Sequence, residues 1–513
     1  MLVPHESTEK DLLRKIDLTT ALQYGQAQGY PPLYGFVRQF VQLHMHPNWA
    51  YEGGPEIILT CGSTDGFSKT LEAFTNTWDE ERDWIRDREG ILCEQYAYMN
   101  AIQAAKPRGL NVAPVAIDDE GMLADGPGGL ADVLGNWDVH KGKRPHLIYT
   151  VTMGQNPTSG VLSLARRKAI YALCQKYDVL ICEDDPYWFL QYPSANTLSM
   201  QNRGHPVSAN HPTDHNYNTA SGGKSSGFPF LDSLVPSYLS VDTDGRVIRL
   251  DTFSKCVAPG ARLGWITAQP AFVDTILRIT ECSTQQPSGF VQSMIVELLH
   301  GPSDSSDGGR GGSKDGSGWK VDGWVRWLEG LRGNYERRMQ LMATTLNEGR
   351  FLVSQRTNTD GFEVVSKTQL FDFTYPMGGM FLWLRVNYEK HPLYRAPQSI
   401  ANTLFRDRTF GGPELAMAFW LFLTKDKYKV LVAPGTMFAP TEEVRAETAW
   451  QYQRLCFAAV DEEVVTSSSE GFVAGIRDFW TLKVKDIEHL LRELAEPTEA
   501  TSAMLSSGFQ VSL

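Results

Sequence analysis

The sequence predicts an α/β fold in which a large, mainly parallel sheet carries helices on both faces and a smaller α+β domain follows. Three stretches predict it. Residues 145–182 read as a βαβ unit, with strands at 146–152 and 178–182 around an amphipathic helix at 164–176. Such units build parallel sheets, and ligands bind at the carboxyl ends of their strands. Residues 56–60 form a short apolar strand that enters Cys61-Gly-Ser-Thr-Asp-Gly66, then a helix with Phe67, Leu71 and Phe74 on one face. Residues 246–250 form another strand-like run, which leads into a turn of small residues within 251–265.

At 513 residues the chain has room for two to four domains and a large core. Its balance of 42% hydrophobic and 21% charged residues is that of a globular protein. The net charge of −12 argues against a nucleic-acid-binding surface, which needs clustered Lys and Arg. A small anion held in a local basic pocket is still compatible with it. The seven cysteines (61, 93, 174, 182, 256, 282 and 456) are scattered, odd in number and without a C-x-x-C pair. That pattern is expected of reduced thiols in a cytoplasmic protein, with neither a disulfide framework nor a metal site. No apolar run approaches the length that spans a bilayer, so no membrane association is expected. The first eleven residues have neither a signal-peptide core nor the bias of a transit peptide.

Residues 18–29, with Tyr24, are a turn-rich lead-in to a helix at 31–43 that carries Leu33, Phe36, Phe40 and Val41 on one face. The strand, glycine turn and helix start at 56–66 point backbone N–H groups at an anion, and Ser63 adds a hydroxyl. The same residues also suit an ordinary helix cap. Residues 90–98 read as a strand ending in aromatics, of which Tyr98 is the last. Asn156-Pro157 follows the first strand of the βαβ unit, and Glu183-Asp-Asp-Pro-Tyr187 follows the second. Acidic triplets commonly sit in solvated loops; the position directly after a buried strand favours a pocket instead.

Residues 194–238 are polar and turn-rich and read as an insertion. Their His205, His211 and His215 lack Cys or acidic partners at zinc-ligand offsets. Residues 301–318 are low in complexity and read as a flexible surface loop. A long helix at 324–350, with Trp327, Leu331, Tyr335 and Leu341, then bridges to the C-terminal domain. Its strands are expected at 361–365, 380–386, 429–433 and 452–457, and its closing helix at about 471–494. Arg454 stands in the last of these strands. A buried arginine is costly unless paired, either within the protein or with a bound anion.

Lys255 leaves a strand between Ser254 and Cys256, and Arg262 follows beyond a Pro259-Gly260 turn. A lysine amine can form a Schiff base with a carbonyl cofactor when its neutral form is accessible. A guanidinium nearby can hold a phosphate by paired hydrogen bonds. A surface lysine beside a solvated arginine would be the plainer reading of an isolated pair. The whole segment 251–265, Asp-Thr-Phe-Ser-Lys-Cys-Val-Ala-Pro-Gly-Ala-Arg-Leu-Gly-Trp, resembles the lysine motif of class I/II aminotransferases of pyridoxal phosphate (PLP) fold type I. Its wording is closest to the fungal aromatic amino acid, 2-aminoadipate and kynurenine aminotransferases. The resemblance runs from about Tyr24 to the end, the two insertions apart.

The resemblance implies a seven-stranded sheet in the large domain, PLP as cofactor and a homodimer with shared active sites. It assigns residues 1–45 to an arm and helix of the small domain and dimer contact, 46–335 to the large domain and 336–513 to the small one. Gly62, Ser63 and Thr64 would cradle the phosphate with Thr252, Ser254 and Arg262. Tyr24 would reach the phosphate of the neighbouring subunit. Tyr98 would stack on the ring, and Asn156 and Tyr187 would bond its phenolate oxygen. The family spacing of an acid and a tyrosine three residues on selects Asp184, not Asp185, as partner of the ring nitrogen. Lys255 would carry the cofactor and shuttle the proton, while Arg454, with Asn156, would bind the substrate carboxylate. The amino donor would be an aromatic amino acid, 2-aminoadipate or glutamate, and the acceptor a 2-oxo acid such as 2-oxoglutarate, in a ping-pong cycle. Another PLP reaction, such as β-elimination, is an alternative. So is a non-catalytic PLP-sensing regulator, whose basic winged helix has no counterpart ahead of Tyr24. Family members carry several dozen further upstream residues, including a glycine-rich segment over the substrate, so a longer gene model or a missing lid is expected.

Overall fold

The computed structural model describes residues 2–202, 215–300, 319–357, 363–396 and 409–495. The loop 301–318 and two of the three insertion histidines, His205 and His211, lie outside the described residues. The chain divides into two units, the first comprising residues 1–156, 160–334 and 377–379, the second 157–159, 335–376 and 380–513.

The first unit is built on seven strands: β1 (Glu56–Thr60), β2 (Gly90–Glu94), β3 (Asn111–Val115), β4 (Leu147–Thr150), β5 (Leu180–Asp184), β6 (Val247–Thr252) and β7 (Gly264–Ala268). Their order across the sheet is β1-β7-β6-β5-β4-β2-β3. β7 runs antiparallel to both neighbours, and the other pairings are parallel. Near-continuous burial along β2, β4, β5 and β6 is what a parallel sheet covered on both faces requires.

Strand boundaries move where a cap intervenes. The Leu164–Tyr177 helix starts at Ser163, whose hydroxyl accepts from the Arg166 amide at 3.3 Å, and ends on Asp178 with φ 53°. Asp178 therefore closes the helix instead of opening the strand expected at 178–182. β5 begins two residues later and takes in Glu183 and Asp184. The strand expected at 90–98 stops at Glu94, and Tyr98 caps the Met99–Ala105 helix.

Residues 1–45, assigned to the small domain by resemblance, pack within the first unit instead. Pro31 opens a helix to Phe40, continued as a π-turn through Met45. Its apolar face is needed by the first unit's core: Phe36 lies 5.9 Å from Trp319 and Phe40 6.4 Å from Phe189, ring to ring. The C-terminal end of the 194–238 insertion also joins a core, with Phe230, Leu231, Leu234 and Tyr238 buried.

In the second unit, strands Phe371–Phe373, Phe381–Val386, Tyr452–Cys456 and Ala433–Pro434 form an antiparallel sheet in that order, and Phe351–Thr357 pairs with Glu363–Gln369 as a hairpin. The strand expected at 429–433 shrinks to Ala433–Pro434. Its backbone is engaged elsewhere: Val430 N–H donates to Leu423 O, and Val432 O accepts from the Trp420 indole on the Gly412–Leu423 helix. The closing helix expected at 471–494 is two helices, Glu462–Phe479 and Val484–Ala495. The break holds Phe479 and Trp480 against His391, and Asp486 caps the second helix at the Lys483 amide.

The carboxyl ends of β4, β5 and β6 are tied by buried charges. Arg249 bonds Glu183 at 2.9 Å and Asp185 at 3.0 Å, and grips Asp251 through two nitrogens at 3.0 Å each. Arg167 meets the other Glu183 oxygen at 2.6 Å. Asp185 also accepts from the Thr152 amide and hydroxyl and the Met153 amide. Removing one partner of such a network leaves bare charge in the interior, at a cost of about 3–5 kcal/mol. Arg249→Ala is expected to lower the unfolding free energy by that amount in urea titrations; a loss below about 1 kcal/mol would contradict the role given to the network.

Candidate active site

The site forms at the carboxyl ends of the strands because the pleat sorts their side chains. Alternate residues of a strand face opposite sides of the sheet. In β5 the registers Glu183↔Arg249 and Asp184↔Leu250 turn Glu183 toward the arginines and Asp184 the other way. That other side is covered by the Ser63–Phe74 helix, whose Gly66 lies against Leu250 and whose Phe67 ring is 4.7 Å from Tyr149. The Tyr149 hydroxyl donates to Asp184 Oδ2 at 2.7 Å. Asp184 Oδ1 is buried and makes no hydrogen bond. Burial pushes the Asp184 carboxyl up to about 6, against the steadying effect of the Tyr149 bond, the Ser63 hydroxyl and the Lys255 charge. Asp184 thus stands as a desolvated acceptor within the electrostatic reach of Lys255.

Lys255 sits in the long turn from β6 to β7, half-buried, directly after Thr252 and Ser254. The Thr252 hydroxyl accepts from the Ser254 amide at 3.1 Å and donates to Leu263 O at 3.1 Å, which locks the turn's neck. Arg262 takes a left-handed conformation (φ 47°), one that non-glycine residues hold only under constraint. This folds its guanidinium back toward Pro259 O (3.1 Å), the Ser254 hydroxyl (3.3 Å) and Cys61 O (3.3 Å). Gly62 precedes the Ser63–Phe74 helix with φ 95°, and a Cβ there would lie 2.6 Å from Arg262 Nη2. The close approach is therefore open only to glycine. No side chain caps this helix, so its leading N–H groups face the space beside Arg262 unsatisfied from within.

Asn156 and Tyr187 are buried, and Tyr98 is half-buried, its hydroxyl accepting from the Asn100 amide group at 2.8 Å. Tyr24 is 92% exposed and lines a surface groove with Gln28, Leu277 and Glu281. Arg454 belongs to the second unit. It is half-buried, and its guanidinium lies between Phe381 and Phe438 at 4.2 and 4.8 Å from the ring centres.

The residues present fit the cofactor that the lysine motif implied. A protonated ring nitrogen needs a buried acceptor, and Asp184 Oδ1 is one. A phosphate needs a helix N-terminus and a cation, which Gly62, Ser63, Thr64 and Arg262 offer together. Among the described residues no helix is long and apolar enough to cross a membrane, and no group of three or more His, Cys, Asp or Glu could hold a metal.

The sequence pattern of the family "Aminotransferase class I and II" matches residues 16–468. The chain belongs to that family. It is 34% identical to an aromatic amino acid aminotransferase of Schizosaccharomyces pombe over 389 residues, which cover 75% of this chain and 66% of the relative. It is likewise 34% identical to an L-tyrosine:2-oxoglutarate aminotransferase of Tapinella panuoides, across 77% of this chain and 63% of that one. The chain thus spans just under two thirds of the length of these aminotransferases. The crystal structure of the aminotransferase Aro8 from Candida albicans superposes with a TM-score of 0.68 and 28% identity, covering 93% of this chain and 83% of that one.

Sequence reasoning missed Tyr149 and the network of Arg167, Arg249, Glu183, Asp185 and Asp251. A signal was present, in that Arg249 and Asp251 alternate with apolar residues along a buried strand. Asp184 and Asp185 should separate by experiment. A carboxyl lifted in the folded state stabilises it while protonated, below about pH 4, and loses that contribution as pH rises toward 6. For Asp184 the lift is about 2 units, or ~3 kcal/mol. Asp184→Asn in cofactor-free protein is therefore expected to gain about that much relative to wild type between pH 4 and pH 7, read by urea unfolding. Burial and the Glu183 charge push the Asp185 carboxyl up as well, but Asp185→Asn also breaks the Arg249 bond at 3.0 Å and loosens the Thr152 and Met153 bonds, so it is expected to lose stability at pH 7 instead.

Proposed function

We propose that this chain is a PLP-dependent aminotransferase that takes an aromatic amino acid as donor, with 2-aminoadipate or glutamate also accepted. A 2-oxo acid such as 2-oxoglutarate would receive the amino group. The observation that carries the reading is the closure of Arg262 onto Gly62, which brings the lysine turn and a helix N-terminus together, with Ser63 and Lys255 both acting on Asp184.

The bound cofactor supplies an electron sink that makes the α-hydrogen of an amino acid acidic. The rest falls to the protein. Gly62, Ser63, Thr64 and Arg262, with Thr252 and Ser254, would hold the phosphate and so anchor the ring. Asp184 keeps the ring nitrogen protonated. Asn156 and Tyr187 would bond the phenolate oxygen, and Tyr98 would stack against the ring. Lys255 would carry the cofactor through its amine and, once released, would be the group that holds and moves the substrate α-proton. Arg454 orients the substrate by its α-carboxylate, a task suited to a planar fork. A homodimer with shared sites, in which exposed Tyr24 reaches the neighbouring phosphate, and a cytoplasmic location complete the proposal; the seven free cysteines agree with the latter.

Reconstitution with PLP followed by borohydride is expected to fix the cofactor at Lys255, and Lys255→Ala to abolish both that link and amino transfer while leaving the fold intact. A panel of donors assayed against 2-oxoglutarate should favour phenylalanine, tyrosine and tryptophan. Activity confined to alanine-like donors would refute the aromatic assignment, and release of ammonia in place of amino transfer would indicate elimination.

A further inference from the structure

We propose that Tyr149 is a positioning residue that fixes Asp184 so that Oδ1 alone is presented to the cofactor ring and the proton stays on the ring nitrogen. The inference rests on the PLP reading above. Its basis is the division of labour between the two oxygens of one carboxylate. Oδ2 is satisfied by the Tyr149 hydroxyl at 2.7 Å, while Oδ1 is buried without a hydrogen bond.

Tyr149 is placed to do this by both sides of its ring. It lies on β4, opposite Cys182 of β5 and two residues short of Asp184 in the parallel register, so its hydroxyl reaches along the strand direction toward the site. Phe67 packs on it at 4.7 Å, and Ile91, Cys93, Ala97, Ile102 and Val112 line a tight apolar space beside it. Such walls leave the phenol ring little freedom to swing away. Burial and the adjoining Asp184 charge push the phenol well above its ordinary range, so it stays a donor at every working pH.

The chemistry follows from competition for one proton. A desolvated carboxylate with no donor of its own is more basic, and it draws the shared proton away from the ring nitrogen. A neutral tyrosine bonded to Oδ2 disperses part of the carboxylate charge and lowers that basicity. The same bond stops the carboxylate from rotating Oδ1 out of line. Ser63, Phe67, Glu94, Cys182, Asp185 and Lys255 are the other groups close to this pair. The Ser63 hydroxyl and the Lys255 charge also steady the carboxylate, but the Tyr149 bond acts on it more strongly than either. Glu94 and Asp185 are acceptors engaged by Thr150, the Val151 amide and Arg249.

The test is Tyr149→Phe in the full chain, loaded with PLP labelled with ¹⁵N in the ring. The wild-type ring resonance is expected at the protonated position from pH 6 to 9. In the Phe variant it should move toward the neutral-pyridine position, with PLP affinity several-fold weaker and kcat lower by about ten- to a hundred-fold, KM changing less. 3-Fluorotyrosine at position 149, nearly the same shape and a stronger donor, should leave the ring protonated, which keeps the test readable if the Phe variant folds poorly. An unchanged ¹⁵N position in Tyr149→Phe, or an equal fall of Tm with and without PLP and no spectral change, would overturn the inference alone. Failure of the wild type to bind PLP at Lys255 would overturn the cofactor reading with it.

Discussion

The site depends on how three consecutive acids, Glu183, Asp184 and Asp185, are divided by the pleat of one strand. Arg249 and Arg167 hold Glu183 and Asp185 on one face of the sheet at 2.6–3.0 Å. Asp184, between them, has no choice but the opposite face. A one-residue slip of β5 against β6 would exchange the two sets, placing paired acids in the pocket and a lone one among the arginines. The buried charge network is thus less a source of stability than a lock on register. Attraction repays the burial of its charges only because nearly every oxygen is also hydrogen-bonded. The residual tension is visible in Asp251, which burial raises to about 7 despite the two-point grip of Arg249.

From this register the rest follows. Thr252 shares a face with Leu250, toward the Ser63–Phe74 helix, so the turn beyond it opens on the side where Asp184 lies. Gly264, the first residue of β7, pairs with both Thr60 and Thr252 and passes Gly62 closely enough that a Cβ would lie 3.1 Å from its Cα. Two glycines and one left-handed arginine therefore bring the ends of β1 and β6 together. Glycine is required at these points for want of space, and at Gly62 for its positive φ as well.

A pocket so arranged is costly to fold. Asp184 is lifted to about 6, mainly by burial. Arg262 holds a strained backbone, and a helix start lacks a side-chain cap. Each is a local violation of what favours folding, and together they surround one space. Functional sites are where such violations accumulate, because a ligand relieves them on binding.

The sequence by itself determined the α/β class and the family, and it named Gly62, Ser63, Asp184, Lys255 and Arg262, which the fold brings near one another. Apolar strands ending in chemically distinctive residues are local patterns, and a motif such as Asp251–Trp265 keeps its order whatever surrounds it. The resemblance selects Asp184 over Asp185 by the family's spacing from Tyr187, a choice for which the spacing carries no physical reason. Tertiary structure separates the two acids physically, since only the pairing of β5 with β6 shows that Asp184 meets the face opposite the arginines. Tyr149 was invisible for the same cause: its partner is 35 residues away, and no local pattern marks a tyrosine inside an apolar strand as a donor. The helix break at Trp480–Lys483, the lost strand before Ala433 and the placing of residues 31–45 in the first unit were likewise decided by distant packing. Periodicity reports which face of an element is apolar. It does not report which other element will cover that face.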